Sequence, residues 1–439
     1  MFSYYLKLGV RSLRRNPALT ALMVLTLAIG VAASVSTLTI LHVMSSNPIP
    51  QKSERLFVPL VDNGPLEGDN PADKEHNRDD QLSYIDAQNF LKSGQGERRT
   101  ALYGIAAPIE PARHDLPVIS AQGTAPTRDF FAMFDVPFLY GQPWSEADDK
   151  AAADVVVLSG AMAEKLFGAV NPVGQRLRMM GHEFQVVGVL RAWQPLPKFY
   201  ALVGGPGAFG QQDDIMLPFA TAIRHKADLN GGMSCRSRRE PGWQGLLDSE
   251  CTWLGFFFET STGAGRADLQ NYLDNYASDQ RKLGRLKRKG DNQLFDVMEW
   301  LEHMKVVGND SRLAAWLAFG FLLLCLVNTI GLLLAKFSVR ASEVGVRRAL
   351  GAARRDIFQQ FLTETAVVGL AGGLLGLLLS FGALALIAMS SQELSVVAHM
   401  DFAMLGLTFS LSLLAALLAG LLPTWRACQV TPAIQLKSQ

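Results

Sequence analysis

Long hydrophobic runs and short polar alternations divide this chain of 439 residues into two kinds of sequence. Four long runs contain no Asp, Glu, Lys or Arg: residues 18–41, 313–335, 365–389 and 402–423. About 20 apolar residues cross a bilayer, and uncharged runs of this length are rare in soluble cores. The runs therefore predict four transmembrane helices. A cleaved signal peptide is the alternative for the first run, but its length and basic flank argue against that.

Positive charges are distributed unevenly around these runs. Lys and Arg residues precede the first run, separate the second from the third and follow the fourth, whereas residues 390–401 contain none. Basic segments flanking transmembrane helices stay in the cytoplasm. We therefore expect both termini inside and the region between the first two runs outside. Residues 1–17 are typical of an amphipathic helix on the inner membrane surface.

The region between the first two runs has the shorter periods of a mixed α/β domain. Apolar alternation predicts strands at 154–159, 214–219 and 253–259, and a hairpin at 175–190 that turns at Gly181. Helical spacing predicts helices at 160–168 and 267–283, the latter with Leu269, Tyr272, Leu273 and Tyr276 facing inward. Residues 61–80 are turn-rich and polar, which indicates a loop.

Two of the four cysteines, Cys235 and Cys251, lie in this exterior region. A disulfide persists outside the cytoplasm, and one closing this loop would stabilise the fold by about 3 kcal/mol. Two unpaired thiols are the alternative. Cys325 lies in a run and Cys428 near the carboxyl end, so we expect neither to be bridged.

The chain lacks the motifs of the common catalytic and nucleotide sites. It contains no G-x-x-x-x-G-K-[ST], H-E-x-x-H, C-x-x-C or G-x-S-x-G sequence. We therefore expect no catalytic residue, no metal, no cofactor and no nucleic-acid partner. The runs also lack ionisable groups that would relay protons, which argues against a proton-coupled carrier.

The basic segment between the second and third runs combines charge with apolar spacing. Read as one helix, it places five apolar residues on one face: Val339, Val346, Leu350, Ile357 and Phe361. Gly351 permits a break into two shorter helices. A basic loop that only fixes topology is the alternative, but such a loop needs no apolar period. The pattern favours a short amphipathic helix that a cytoplasmic partner can grip.

Five stretches in this order resemble the MacB/FtsX family of ABC transporter permeases. They are LKLGVRSLRRNPALTALMVLTLAIGVA (6–32), RDFFAMFDVPFLYGQPWSEAD (128–148), LVNTIGLLLAKFSVRASEVGVRRALGAARRDIFQQFLTE (326–364), GLAGGLLGLLL (369–379) and GLLPTWRACQVTPAIQLK (420–437). The third contains the recurring core E-[IV]-G-x-R-x-A-[LV]-G-A. Residues 190–310 match the family least well.

The resemblance implies an α-helical membrane protein with four transmembrane helices and a large periplasmic α/β domain between the first two, built in two parts. The expected order is entry helix 1–17, span 18–44, MacB-like periplasmic core domain 45–311, span 312–336, cytoplasmic coupling segment 337–363, span 364–390, periplasmic loop 391–401, span 402–425 and cytoplasmic tail 426–439. The implied location is the bacterial inner membrane.

The resemblance also assigns roles to residues. Those implied to couple the chain to an ATPase are Glu343, Gly345, Arg347, Arg348, Leu350, Gly351 and Arg354. Those assigned to packing between transmembrane helices are Asn328, Gly369, Gly372, Gly373 and Gly376. Glycines four residues apart permit close helix approach, either to a second chain or to the fourth span of the same chain.

The implied function is that of a permease subunit that transmits the motion of a cytoplasmic ATPase to the periplasm for export or efflux. Two ABC ATPase subunits and a second permease chain, identical or a paralogue, are the implied partners, within the lipid bilayer. The chain shows no ATP site, so the ATPase is expected to be a separate subunit. Exporters of the family often join a periplasmic adaptor and an outer-membrane channel. The sequence does not decide whether this chain binds either of them. A regulatory subunit that controls a periplasmic partner is the alternative function, and a membrane receptor without energy input is a further one.

Overall fold

The computed structural model describes residues 16–64, 79–112, 116–261 and 265–390, and five single residues beyond them. The predicted loop 391–401 and tail 426–439 lie outside the described residues, as do almost all of the entry helix and most of the polar loop 61–80. The chain divides into two units. One comprises residues 45–306, and the other comprises residues 1–44 with 307–439.

The elements run in the following order. The helices are α1 (Pro17–Ser45), α2 (Tyr84–Lys92), α3 (Asp129–Met133), α4 (Glu146–Ala151), α5 (Gly160–Phe167), α6 (Phe219–Arg224), α7 (Gly242–Leu247), α8 (Gly265–Lys282), α9 (Val297–His303), α10 (Asn309–Val339), α11 (Ala341–Ala349) and α12 (Arg354–Ser390). The strands are β1 (Leu56–Leu60), β2 (Leu82–Ser83), β3 (Arg98–Glu110), β4 (Ile119–Pro126), β5 (Phe138–Gly141), β6 (Val155–Ser159), β7 (Arg176–Met179), β8 (His182–Leu190), β9 (Ile215–Met216), β10 (Asp228–Leu229), β11 (Thr252–Glu259) and β12 (Gln293–Asp296).

Three of the predicted transmembrane runs are long apolar helices. α1, α10 and α12 have 29, 31 and 37 residues, and each is apolar and long enough to cross a bilayer. The count of four spans is not confirmed. Of residues 402–425 the structure describes only Gly406, Ser410, Leu414, Leu421 and Trp425, all helical and exposed.

α1 packs closely against α10. An added Cβ at Gly30 would lie 2.8 Å from the Cβ of Cys325, so a larger residue there would push the two helices apart. The Ser34 hydroxyl donates a hydrogen bond of 2.9 Å to the carbonyl of Ala318 on α10. Leu27 and Val31 complete this contact with an apolar cluster. Small residues and a cross-helix hydrogen bond are typical of packing in membranes.

In the other unit, the twelve described strands form one sheet. Its order is β12-β1-β11-β3-β4-β9-β6-β8-β5, with β2, β7 and β10 attached beside this path. The predicted hairpin is confirmed, because β7 pairs antiparallel with β8 and Gly181 lies between them at φ +77°. The predicted strand at 214–219 is shorter than expected. β9 covers only Ile215–Met216, because Pro218 precedes α6 and ends the pairing.

Both faces of this sheet are covered, which explains the strands without polar alternation. All five residues of β1 are buried. Phe57 contributes to the cluster under α2 and α8, whereas Leu56 and Val58 contribute to the cluster with α3 and α9. The inward face predicted for α8 is confirmed, since Leu269 and Leu273 are buried and both tyrosines pack against the same cluster. A strand buried on both faces reads as a continuous apolar run.

A buried ion pair anchors the long connection between β8 and β9. Lys198 and Asp213 are both buried, with 2.8 Å between Nζ and Oδ1. The Tyr200 hydroxyl and the Thr124 hydroxyl each donate a 3.0 Å hydrogen bond to Oδ2 of Asp213. Both oxygens of Asp213 are thus hydrogen-bonded, and Nζ of Lys198 also donates to the carbonyl of Gln211 at 2.7 Å, which compensates the burial of both charges. It ties residues 198–213 to β4.

Cys235 and Cys251 form a disulfide that closes a loop across α7, with a sequence separation of 16. Ser234 also pairs with Thr252 beside the bridge. Of the two alternatives that the sequence left open, the structure adopts the bridge. Cys325 is free and buried.

Candidate functional site

The basic segment folds as a short helix between two long ones. α10 ends at Val339, α11 covers Ala341–Ala349, and α12 begins at Arg354. Gly351 has φ +98°, a backbone conformation that favours glycine. The predicted break at Gly351 is therefore confirmed.

The prediction of a single apolar face across this segment is wrong. Ile357 and Phe361 are buried, but Val346 is 55% exposed and Leu350 is 83% exposed. Among the residues of α11 whose side chains are described, Val344 is the one that is buried. A helical period holds only within one helix, and the breaks at Arg340 and Gly351 reset it twice. Sequence periodicity across those breaks therefore assigns residues to the wrong face.

A small apolar core holds α11 between its neighbours. Val344 packs with Ile357 and Phe361 of α12, and with Leu333 and Phe337 of α10. The rings of Phe337 and Phe361 have centroids 4.2 Å apart. α11 thus packs against both long helices.

Polar side chains brace the same helix. Arg347 donates one hydrogen bond of 2.6 Å to Oε1 of Glu343 and another of 3.0 Å to Oε1 of Gln360 on α12. The first links two residues one turn apart on α11, and the second joins α11 to α12. Two of the residues assigned to ATPase coupling, Glu343 and Arg347, therefore also stiffen the segment.

Sequence reasoning missed a buried carboxylate at the base of this segment. Glu364 on α12 is 1% exposed. Arg340 donates hydrogen bonds of 3.1 and 3.3 Å to its two oxygens, and Nζ of Lys336 lies 3.4 Å from Oε2. The uncharged runs stop at residues 335 and 365, one residue short of Lys336 and of Glu364. The sequence does contain a signal for this ion pair: a positive charge directly follows the second run, and a negative charge directly precedes the third.

The part of the segment that protrudes is its far turn. Leu350 and Gly351 are exposed there, and so are Arg354 and Arg355 at the start of α12. Gly345 and Arg348 are half-buried. The turn therefore presents an apolar side chain with arginines beside it, on a braced support. Such a surface suits a partner that offers an apolar hollow with acidic residues around it.

Two glycines of the third predicted span, Gly372 and Gly376, face the first helix. An added Cβ at Gly372 would lie 2.8 Å from Leu27, and one at Gly376 would lie 2.9 Å from the carbonyl of Ala28. Gly369 and Gly373 are also buried. Packing against α1 was not among the alternatives that the sequence suggested. Asn328 is exposed on α10.

A second candidate site is a cleft of about 790 Å³ beside β12. Arg266 forms a bidentate ion pair with Glu299 at 3.1 and 2.7 Å, and His303 lies 2.8 Å from Asp80. Burial opposes the ionisation of Glu299, but hydrogen bonds from Arg266 and from the Asp296 amide outweigh it and lower the pKa of Glu299. These groups satisfy one another, so the cleft is a weaker candidate. Among the described residues no group of three or more His, Cys, Asp or Glu could hold a metal ion.

Two family models match the chain in sequence. The MacB-like periplasmic core domain matches residues 20–275, and the FtsX-like permease C-terminal domain matches residues 315–432. The chain belongs to the MacB/FtsX-type permease family. Both matched models describe permease domains. Together with three long apolar helices, they make the chain a membrane protein with a MacB-like periplasmic domain.

Curated relatives of this permease family are longer proteins. The macrolide export ATP-binding/permease protein MacB of Rhodospirillum rubrum is 28% identical over 444 residues, covering 100% of this chain and 61% of the relative. The pyoverdine export ATP-binding/permease protein PvdT of Pseudomonas syringae pv. tomato is 28% identical over 313 residues, covering 71% and 42%. The chain thus spans less than two thirds of either relative. The solved periplasmic region of MacB from Actinobacillus actinomycetemcomitans aligns with TM-score 0.35 and 13% identity over 57% of this chain and 92% of that one.

Proposed function

We propose that the chain is the permease subunit of an ATP-driven exporter in a bacterial inner membrane. Cytoplasmic ABC ATPase subunits bind at the turn around Leu350, and their motion passes through α10 and α12 to the periplasmic domain. The observation that carries this proposal is an 83% exposed leucine at the tip of a helix that is braced on both sides. An exposed apolar side chain on a rigid support is a feature of protein docking sites.

The contacts of α11 support transmission of force rather than simple anchoring. Glu364 binds Arg340 at the start of α11 and lies beside Lys336 of α10, so one carboxylate joins three helices. Displacement of α11 therefore has to move α10 and α12 or break a buried charge pair. α10 has 31 residues, which makes it about 46 Å long, more than the roughly 30 Å of a hydrocarbon core.

We further propose that a second permease chain pairs along α10. Six exposed residues follow one another at alternating spacings of four and three: Leu317, Phe321, Leu324, Asn328, Gly331 and Ala335. This is the spacing of a coiled-coil seam, in which a single Asn fixes the register between helices. An Asn that faces a second helix can hydrogen-bond across the interface, whereas one that faces lipid cannot. The seam does not distinguish an identical partner from a paralogue.

Export rather than import is the direction that the relatives suggest. The two compared relatives are named for the export of macrolides and of pyoverdine. The substrate of this chain has to be identified by transport assay. The proposal places both termini in the cytoplasm and residues 45–306 in the periplasm.

The docking role is tested by purifying the full chain from its own cells and measuring the bound ABC ATPase and its ATP hydrolysis. We expect Leu350→Asp to abolish co-purification, because a carboxylate replaces the apolar contact. Gly345→Pro breaks the interior of α11 and should uncouple hydrolysis from transport. Val118→Asp is the matched control, since it also replaces an exposed aliphatic side chain by aspartate, at a valine that is 62% exposed in the other unit. Failure of the unaltered chain to bind any ABC ATPase would refute the proposal.

A further inference from the structure

The two edge strands of the periplasmic-domain sheet, β12 and β5, differ in whether side chains hydrogen-bond to their main chain. The β12 edge is blocked in this way. Arg266 donates a hydrogen bond of 2.9 Å to the carbonyl of Leu294, and Gln270 donates one of 3.1 Å to the carbonyl of Asn292. The amide of Asp296 donates to Glu299 at 2.9 Å. Side chains therefore occupy the outward main-chain groups of this edge strand. Blocking of this kind prevents another strand from pairing there.

Among the described residues no side chain blocks the opposite edge, β5, whose pairing with β8 is irregular between Phe138 and Tyr140. Leu139 is 46% exposed and Tyr140 is 40% exposed. Val173 extends the apolar surface, since an added Cβ at Gly141 would lie 3.1 Å from its methyl group. Among the described residues no side chain hydrogen-bonds to the main chain of β5. An open, apolar edge strand is a template for pairing with a second strand.

The two segments at this edge carry no charged side chain, and the exposed Arg191, whose amide donates to the carbonyl of Pro137, lies at their border. Residues 136–143 and 167–175, which contain β5 and the segment that leads to Val173, include no Asp, Glu, Lys or Arg. Interfaces between different proteins commonly use complementary charges to select the partner. A surface that pairs with its own copy has a different requirement. Any charge near the two-fold axis meets the same charge on the other copy, so an uncharged edge suits self-association.

We propose that β5 of one chain pairs antiparallel with β5 of a second identical chain, which continues the sheet across the periplasmic domains of a dimer. The proposal rests on the second permease chain suggested above. A four-residue strand with three apolar side chains buries far less than the roughly 800 Å² per partner of a stable interface. Pairing therefore needs the membrane helices to hold the two chains together, which raises the effective concentration of the strands to about the millimolar range.

The test uses the full chain in its membranes, with p-benzoyl-phenylalanine in place of Tyr140 and ultraviolet irradiation. We expect a product of twice the 47.9 kDa chain mass, with the crosslink mapped by mass spectrometry to residues 136–143 or 167–175 of a second copy. The matched control carries the same probe in place of Met298, which is 37% exposed beside the blocked edge and should give no such product. A third chain carries the probe in place of Leu324 on α10 and reports pairing of the spans.

Adding Leu139→Lys places like charges across the proposed strand pair. The crosslink from position 140 should fall to the level of the Met298 control, while the crosslink from position 324 persists. A crosslink at 324 without one at 140 would overturn the strand pairing and leave the permease dimer standing. Absence of both would overturn both. A crosslink from 140 to a different protein would also overturn self-pairing.

Discussion

Glu364 is the buried carboxylate in the described part of the membrane unit. Its carboxylate is 1% exposed, and its two cationic neighbours compensate its charge through contacts of 3.1 to 3.4 Å. A buried charge pair adds little net stability, but removal of one partner leaves the other charge uncompensated. The energetic effect of a substitution therefore depends on which charge is removed, and on whether its partner goes too.

We expect Glu364→Ala to destabilise the folded membrane unit by about 3–5 kcal/mol, because the positive charge of Lys336 stays buried and that of Arg340 stays half-buried. Adding Lys336→Met should recover part of that loss. The measurement is denaturant unfolding of the purified full chain in detergent micelles. An equal loss in the single and double variants would show that the charge balance is not what holds these helices together.

The same residues show where sequence reasoning stops at this scale. The absence of charge identifies the runs, but it also leaves Lys336 and Glu364 just outside them. The ion pair between these two residues is therefore not visible in the hydropathy pattern. Sequence periodicity places Val346 and Leu350 on one face with Ile357 and Phe361 only because it carries the helical period across Gly351. Hydropathy records what each residue prefers, whereas burial depends on which helix lies opposite, and that contact is between residues far apart in sequence.

At the scale of elements, the first and third apolar helices depend on glycine for their contact. Gly376 leaves room for the backbone of Ala28, with 2.9 Å between an added Cβ and the carbonyl oxygen. Gly382, two turns further along α12, has no atom within 4 Å of the same position among the described residues. The two glycines thus differ in packing but share a helix.

We expect Gly376→Leu to separate α1 from α12 and lower the stability of the membrane unit by about 1–3 kcal/mol, as overpacking does. Gly382→Leu should be neutral or stabilising, because leucine favours helix over glycine by about 0.8 kcal/mol. Thermal unfolding of both variants in micelles compares them directly. Equal effects at the two positions would contradict close packing at Gly376.

The Cys235–Cys251 bridge is the element-scale feature that composition alone left undecided. Its sequence separation of 16 corresponds to about 3 kcal/mol of loop-closure entropy. We expect Cys235→Ala/Cys251→Ala to lower the free energy of unfolding of the exterior domain by that amount. Reductant should reproduce the loss in the unaltered chain and add nothing in the double variant. A further loss on reduction of the double variant would locate the effect elsewhere.

The secondary structure of the exterior domain was largely accessible to sequence reasoning, but its sheet was not. The β7–β8 hairpin and α8 follow from local periods and a turn glycine. The order of the strands, with β1 between β12 and β11, joins residues about 200 positions apart. No local pattern encodes such pairing. The blocked and open edges, on which the proposed strand pairing depends, follow only from that order.

For the whole molecule, the proposal requires the exterior domain and the α11 turn to lie on opposite sides of the membrane. Residues 45–306 lie between α1 and α10, and α11 follows α10 directly. Only α10 therefore separates the exterior domain from the α11 turn along the chain. With α10 crossing once, Val118 and Leu350 must face different compartments. This requirement does not depend on the fourth span.

We therefore expect a membrane-impermeant maleimide, added to intact spheroplasts, to label Val118→Cys and not Leu350→Cys. Inverted membrane vesicles should give the opposite result. Both positions are exposed, at 62% and 83%, so a difference in labelling reports the compartment rather than burial. The unaltered chain gives the background from Cys325 and Cys428. Labelling of both positions from one side would refute the proposed transmission. The ATPase and the exported substrate would then meet the same face of the membrane.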